Sequence, residues 1–519
     1  MRRRDFLKTA AIGASLTALE AWVGMRPASA AQAGRRGGTL TWAYTLIPLR
    51  LDPMWTQART DATTLTNICE GLVRANASAT AVEPALADRW TASRDGLTYT
   101  FTLRDGVRFH NGKPVTVDDV IASLQRARTY GVYKWSLADV KAFAKLNDKT
   151  VAIVLKAPVA SILARLAMIS NAIFPKEEIA AIGDQQFTKP IGTGPFMVRE
   201  WVANDHLTLD ANPHYWELAP DGKPYPYLDG VVIKQVAEDT TKVLQIQAGD
   251  LMGCEAIPFS QLPALRRDPR GQLLINPQQQ VYFMVIQLAH PPFEDQKVRQ
   301  AMSLALDRKV FVDRATAGVA VPANSFMPKS GLFWNARASL PFDLPRAKQL
   351  MKESKYPNGH KGMTIQLTSG GQLGRDNAVL SQQMWSEIGL ECQIQEVDGA
   401  ALSAAWYKSN YDAISGYQWT NGMMDPDQLV QFFFIDPRMN TGYEPSASAM
   451  QLVKAAAAEL DPKKRARMYD QIQTIYNTDV GGTISLYYTP SVNYLNPKVQ
   501  GFSRTPLGVP IYWRTWLRS

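Results

Sequence analysis

Cysteine and histidine are scarce in this chain of 519 residues, and their placement excludes several chemistries. Cys69, Cys254 and Cys392 lie far apart and form none of the close pairs of a zinc site or a dithiol redox motif. At most one intramolecular disulfide can form, and three buried apolar thiols are the simpler expectation. The five histidines, His110, His206, His214, His290 and His360, include no close helical pair of the metalloprotease type. His206 and His214 flank Asn212-Pro213, a spacing that is too weak to read as a metal site. A Gly-x-Ser-x-Gly elbow is also missing, so nothing marks an activated serine. Paired carboxylates for glycoside hydrolysis stay open, because folding can bring distant acids together. Beyond the first thirty residues, no apolar run approaches the roughly 20 residues that span a bilayer.

Charge is present but not concentrated. The formal net charge is +9, with Lys and Arg interspersed among Asp and Glu over nearly the whole length, as on a solvated surface, so nucleic acid is not expected as a partner. Hydrophobic residues make up 46% and charged residues 20%, the proportions of an ordinary globular protein. A chain this long outgrows a single hydrophobic core, so at least two packed lobes are expected.

The first thirty residues read as an export address. Arg3-Arg4-Asp5-Phe6-Leu7-Lys8 matches the twin-arginine pattern, with Arg2 standing where Ser or Thr is usual. A weakly apolar stretch over 9–19 follows, and Ala28-Ser29-Ala30 supplies small residues for cleavage near Ala31. Five basic and two acidic residues lie in this segment, so its removal takes the formal charge from +9 to +6. No Cys near the cleavage point is available for a lipid anchor.

The remaining chain reads as mixed α/β. Leu40, Trp42 and Tyr44 alternate with Thr39, Thr41 and Ala43 at the period of a strand, which Leu51-Asp52-Pro53 breaks. Leu97, Tyr99, Phe101 and Leu103 alternate with three threonines in a second, half-buried strand. Asn111-Gly112 is a turn signal, and Thr116 with Asp119 three residues on reads as a helix cap ahead of the stripe Val117, Val120, Ile121 and Leu124. Ile191-Gly192-Thr193-Gly194-Pro195-Phe196 lacks the spacing and the Lys-Ser/Thr of a phosphate loop, and is a turn into a strand. A strand over 228–236 and a helix over 240–247 that stops at Gly249 follow. From Pro292 the texture is richer in helix, with Val298, Ala301, Met302 and Ala305 at helical spacing. A strand over 363–367, a helix through Leu380 and Met384, and a strand carrying Leu390, Cys392 and Ile394 make a βαβ unit, hence a parallel pair. Met468, Ile472, Ile475 and Tyr476 mark a late helix before a strand over 484–488.

These segments resemble extracellular solute-binding protein family five, the dipeptide, oligopeptide and nickel receptors of ABC importers. The resemblance rests on Glu83-Pro84-Ala85-Leu86-Ala87, Trp90, the run Asp95-Gly96-Leu97-Thr98-Tyr99-Thr100-Phe101-Thr102-Leu103-Arg104-Asp105-Gly106-Val107, Phe109-His110-Asn111-Gly112 and Asp118-Asp119-Val120. Glu70-Gly71-Leu72, Gly192-Thr193-Gly194-Pro195, Val298-Arg299-Gln300-Ala301 with Asp307-Arg308, and Asp425-Pro426 follow in the family's order.

The resemblance implies a two-lobed clamp with an extra subdomain. Lobe I would be discontinuous, from 37–67, 190–280 and 496–519; the subdomain would cover 68–189 and lobe II 281–495. It implies a periplasmic binding component without enzymatic activity or cofactor. Its expected partners are a small organic solute (peptide, opine, sugar or amide) and the permease subunits of the transporter, with the receptor itself a monomer. An exported hydrolase and a receptor for a metal chelate or haem are the alternatives.

A solute pocket of this kind combines aromatic faces with a few placed polar groups. Tyr417-Gln418-Trp419-Thr420-Asn421-Gly422, just before Asp425-Pro426, fits that description. Tyr417, Trp419, Thr420, Asn421 and Asp425 are the first candidates for solute contact, and Tyr44, Met54 and Trp55 the second. Peptide-binding relatives carry an aspartate for the ligand's amino terminus where Asn421 or Gly422 stands, and an arginine for the carboxylate on the loop Thr368-Ser369-Gly370-Gly371-Gln372. Here the nearest arginine, Arg375, is displaced toward the helix. Replacing Trp419 by Ala is expected to weaken solute binding by well over tenfold in titration calorimetry; an unchanged affinity would remove this residue from the site.

Overall fold

In the computed structural model, residues 34–519 are described apart from 57–58, 277–279, 339, 370, 421–422 and 436–440. Arg3 and Arg4 therefore lie outside the described residues. The strand Thr39–Tyr44 forms where the alternation requires it, and it runs parallel to both of its neighbours, Gly230–Gln235 and Gly253–Glu255. Its central place explains one departure from simple alternation. Ala43, on the face opposite Leu40 and Trp42, is fully buried as well, because apolar residues cover the sheet on both sides.

Seven strands make this first sheet, in the order Gln272–Asn276, Ser491–Leu495, Gly253–Glu255, Thr39–Tyr44, Gly230–Gln235, His206–Ala211 and Phe196–Val202. Ser491–Leu495 falls within the stretch assigned above to lobe II. Its antiparallel pairing with Gly253–Glu255 and Gln272–Asn276 places it in the first sheet, so the chain returns there before residue 491. A second sheet of six strands has the order Val321–Pro322, Thr483–Tyr488, Gln280–Ile286, Ala413–Thr420, His360–Thr368 and Leu390–Val397. The last two are parallel and joined by the helix Gln372–Ser386, which is the βαβ unit read from the sequence. Apolar clusters cover this sheet on both faces too, one around Met302, Ile365 and Trp385 and one around Phe283, Phe433 and Tyr476.

A third, four-stranded sheet has the order Ala87–Ala92, Thr98–Leu103, Thr150–Leu155 and Val140–Asn147. It packs its own core against the helix Val117–Thr129, whose Val117, Val120 and Leu124 are buried. The helix starts where the cap residues dictate. Thr116 Oγ1 accepts from the Asp119 N–H, and Asp119 Oδ2 accepts from the Thr116 N–H at 2.9 Å, satisfying two donors that helix geometry leaves open. A cap of this kind contributes about 1 kcal/mol.

The loop at 191–195 owes its glycines to close packing. A Cβ on Gly192 would lie 2.1 Å from the Ile68 carbonyl oxygen, and one on Gly194 would lie 2.7 Å from the Ile68 carbonyl carbon. His110 fastens this loop: its Nδ1 accepts from the Gly192 N–H and its Nε2–H donates to the Gly194 carbonyl, both at 3.1 Å. Burial disfavours the imidazolium more than the Gly194 carbonyl favours it, and pushes the His110 pKa down to about 4 from the ordinary 6.5.

The unfolded chain thus binds a proton at His110 that the folded chain refuses between pH 6.5 and about 4, and folding stability falls as the pH falls through that window. Melting temperatures measured at pH 7, 5.5 and 4 are expected to decline more steeply for the wild type than for His110→Gln. Parallel declines would show that His110 does not control the acid response.

Candidate functional site

The first and second sheets are joined by two crossings of the chain, between Asn276 and Gln280 and between Tyr488 and Ser491. Thr489 Oγ1 donates to Gln280 Oε1 at 3.0 Å, and Gln280 Nε2 donates to Gln418 Oε1, so a polar relay links the crossings to the strand Ala413–Thr420. Gln418 in turn faces two cavities. One, of about 490 Å³, has walls from Glu255 and Val492 of the first sheet and Tyr282 and Ser415 of the second. The other, of about 460 Å³, lies among Thr66, Met168, Tyr417, Gln428, Leu507 and Trp513. Arg59 and Gln418 line both, so the two cavities are halves of one cleft between the sheets.

Arg59 is held in place by Glu255 at 2.7 Å, and Glu255 is gripped at the same distance by Arg504 from the other side. Burial on its own would raise the Glu255 pKa, but the fields of Arg504 and Arg59 outweigh it and hold the carboxyl down at about 2. The floor of the cleft therefore carries a carboxylate whose charge is fully committed, beneath an arginine that is one-third exposed.

Tyr417, a first-rank candidate from the sequence, lines the 460 Å³ cavity. Its ring stacks on Trp406 with centroids 4.8 Å apart and planes 4° apart, and leans on Phe283. Stacking on both neighbours orients the ring before any solute arrives. Trp419 and Thr420, in the same strand as Tyr417, pair through their backbones with Val281 and Gln280 of the neighbouring strand Gln280–Ile286. Asn421 lies outside the described residues, as does Gly422.

Four other candidates are placed elsewhere. Asp425 is buried in a two-pronged pair with Arg465, at 2.5 and 2.8 Å, and also accepts from the Asp427 N–H. It anchors a turn and lines neither cavity. Tyr44 is fully buried, its hydroxyl 2.9 Å from that of Tyr512, because it is the end of a central strand. Met54 is buried in the subdomain core, with its sulfur against Arg126. Trp55 packs on the same core and lines neither cavity. Arg375 forms an ion pair with Glu396 on the sheet edge.

The sequence reading missed the contacts between the subdomain and the core of the second sheet. Asp427 bonds Arg165 Nη2 at 2.6 Å and Ser161 Oγ at 2.7 Å, and Arg165 also holds Asp139 at 2.9 Å. Asp427 belongs to the helix Asp427–Val430 on the second sheet's core, whereas Arg165 belongs to the helix Ile162–Leu166 on the subdomain. Ala79, Ala164 and Met168 meet Met423 and Met424 beside this pair. Arg59, Gln418 and Gln428 were missed as well. Of these only Gln418 carried a signal, since it stands between Tyr417 and Trp419 in the stretch already singled out. Among the described residues, no group of three His, Cys, Asp or Glu side chains is placed to hold a metal ion, and all three cysteines are buried and free.

Comparison with known proteins agrees with this geometry. The model of the bacterial extracellular solute-binding proteins, family 5, middle region, matches residues 81–441. The glutathione-binding protein GsiB of Salmonella typhi is 26% identical over 411 residues, which cover 76% of this chain and 78% of that protein. Among solved structures, the periplasmic binding protein DppA from Helicobacter pylori, in complex with the peptide STSA, superposes with a TM-score of 0.82 at 26% identity, covering 93% of this chain and 99% of that one. AgaA from A.tumefacien R10, in complex with agropinic acid, has a TM-score of 0.80 at 23% identity over 93% of this chain and 99% of its own, a likeness of fold. The architecture is thus the two-lobed one of periplasmic binding proteins.

Removing one partner of a buried ion pair costs roughly 3–5 kcal/mol, because the other charge stays buried alone. In Asp427→Asn that cost falls on the closed form, so solute affinity is expected to drop at least tenfold in calorimetry. An affinity equal to wild type would remove the pair from the closing contact.

Proposed function

The chain belongs to the bacterial extracellular solute-binding proteins, family 5, and on that premise we propose that it captures a peptide or other small organic solute in the cleft at Arg59, Gln418 and Tyr417 and hands it to the permease of an ABC importer. The observation that carries the reading is the cleft itself, with walls from two sheets that, among the described residues, two chain crossings connect. Opening and closing about those crossings exposes and encloses the solute without any bond being made or broken. Micromolar capture needs about 8 kcal/mol of net binding free energy, and burial of aromatic and apolar surface between two walls supplies energy on that scale.

Within this reading the protein acts as a monomer outside the cytoplasmic membrane, exported by way of Arg3 and Arg4 through the twin-arginine pathway. Relatives described with glutathione, the peptide STSA and agropinic acid support a solute among peptides and amide-bearing or opine-like molecules. The lobes would meet along 37–67, 190–280 and the C-terminal segment on one side and the chain from Gln280 to Tyr488 on the other, with 68–189 as the added subdomain.

Titration calorimetry against panels of short peptides, opines and sugars, with product formation followed by mass spectrometry in the same samples, tests the proposal. One solute is expected to bind stoichiometrically and unchanged, and its addition to shrink the radius of gyration in solution scattering. Steady conversion of any solute, or scattering that stays the same for every bound one, would overturn it.

A further inference from the structure

Two residues on the wall of the 460 Å³ cavity each carry a buried polar atom without a partner. Gln428 is 6% exposed and its carbonyl oxygen Oε1 accepts from no protein donor; Nε1 of Trp513 is buried and donates to no protein acceptor. Folded proteins leave very few such groups, and those that line a cavity are the ones a ligand can satisfy. One is an acceptor and the other a donor, the complement of what a secondary amide presents through its N–H and C=O.

We propose that Gln428 and Trp513 read the solute, and that the group facing Gln428 is an uncharged N–H or O–H instead of an ammonium. This deepens the receptor reading and rests on it. An ammonium brought into this half of the cleft and shut off from water needs a carboxylate to meet it there. Among the described residues, only two carboxylates line this cavity, and both are committed. Glu70 accepts from Thr193, Tyr215 and Trp216, and Glu83 is paired with Arg74 at 2.7 Å. The three arginines on this wall are committed too, Arg59 to Glu255, Arg74 to Glu83 and Glu217, and Arg514 to Glu217, so recognition there falls to uncharged groups. The chemistry selected is a solute whose nitrogen is acylated, such as a short peptide with a blocked amino end.

Met-Leu and N-acetyl-Met-Leu differ in that one feature and serve as probes in titration calorimetry. Wild type is expected to bind the acetylated peptide at least tenfold more tightly. Gln428→Leu should lose tenfold or more of that affinity, Trp513→Phe several-fold, and Gln428→Glu, which supplies a carboxylate, should move the preference toward free Met-Leu. Wild type that prefers Met-Leu, binds both equally or binds neither overturns the proposal. So does an unchanged affinity for the acetylated peptide in both Gln428→Leu and Trp513→Phe. Tight binding of Met-Leu with contraction in scattering would sink this inference and leave the receptor reading standing, whereas failure of every solute in the wider panel would count against both.

Discussion

A carboxylate gripped from both ends of the chain organises the cleft. Glu255 ends an interior strand of the first sheet, and its two arginines come from residue 59, at the start of the helix Arg59–Leu65, and residue 504, near the C-terminus. Lys242 adds a bond to the Glu255 carbonyl at 3.3 Å. Desolvating a carboxylate is expensive, and only charges as close as these keep it ionised in the interior. That mutual need pulls the early, middle and late parts of the chain into one lobe, and it also sets the Arg59 guanidinium on the surface that faces the second sheet.

The other wall is set by a strand rather than by a charge. Ala413–Thr420 is an interior strand of the second sheet, paired with Gln280–Ile286 on one side and His360–Thr368 on the other. Its residues alternate between the two faces, and a stack of Phe283, Tyr417 and Trp406 keeps one ring in register with the cleft. Gln418, next along, ties that strand to Gln280 and Thr489 at the chain crossings. A group that touches both the cavity and the hinge gives a bound solute a path to the angle between the lobes.

Outside the cavity the subdomain meets the core of the second sheet through the buried pair of Asp427 with Arg165, a patch of alanines and methionines, and the Ala160 N–H that donates to the Ala457 carbonyl at 2.9 Å. Methionine adapts to imperfect fits, and a buried ion pair is close to neutral against its desolvation cost. A clamp built on such contacts is not locked shut by its own energy. The balance is left for the solute to decide, which is what capture and release both require.

The sequence by itself determined the local pieces. The Thr116 capping box, the alternation of Tyr99, Phe101 and Leu103, the βαβ unit from His360 to Val397, and the helix stop at Gly249 were all readable, because each depends on residues within a few positions of one another. It also marked Tyr417 as a cleft residue. Tertiary structure alone decided the rest. Whether Asp425 faces a solute or Arg465, whether Tyr44 ends in a pocket or against Tyr512, and which cavity Gln428 and Trp513 share are matters of partners 40 to several hundred residues away. Charge pairing and burial act through space, so periodicity along the chain carries no record of them until the sheets have packed.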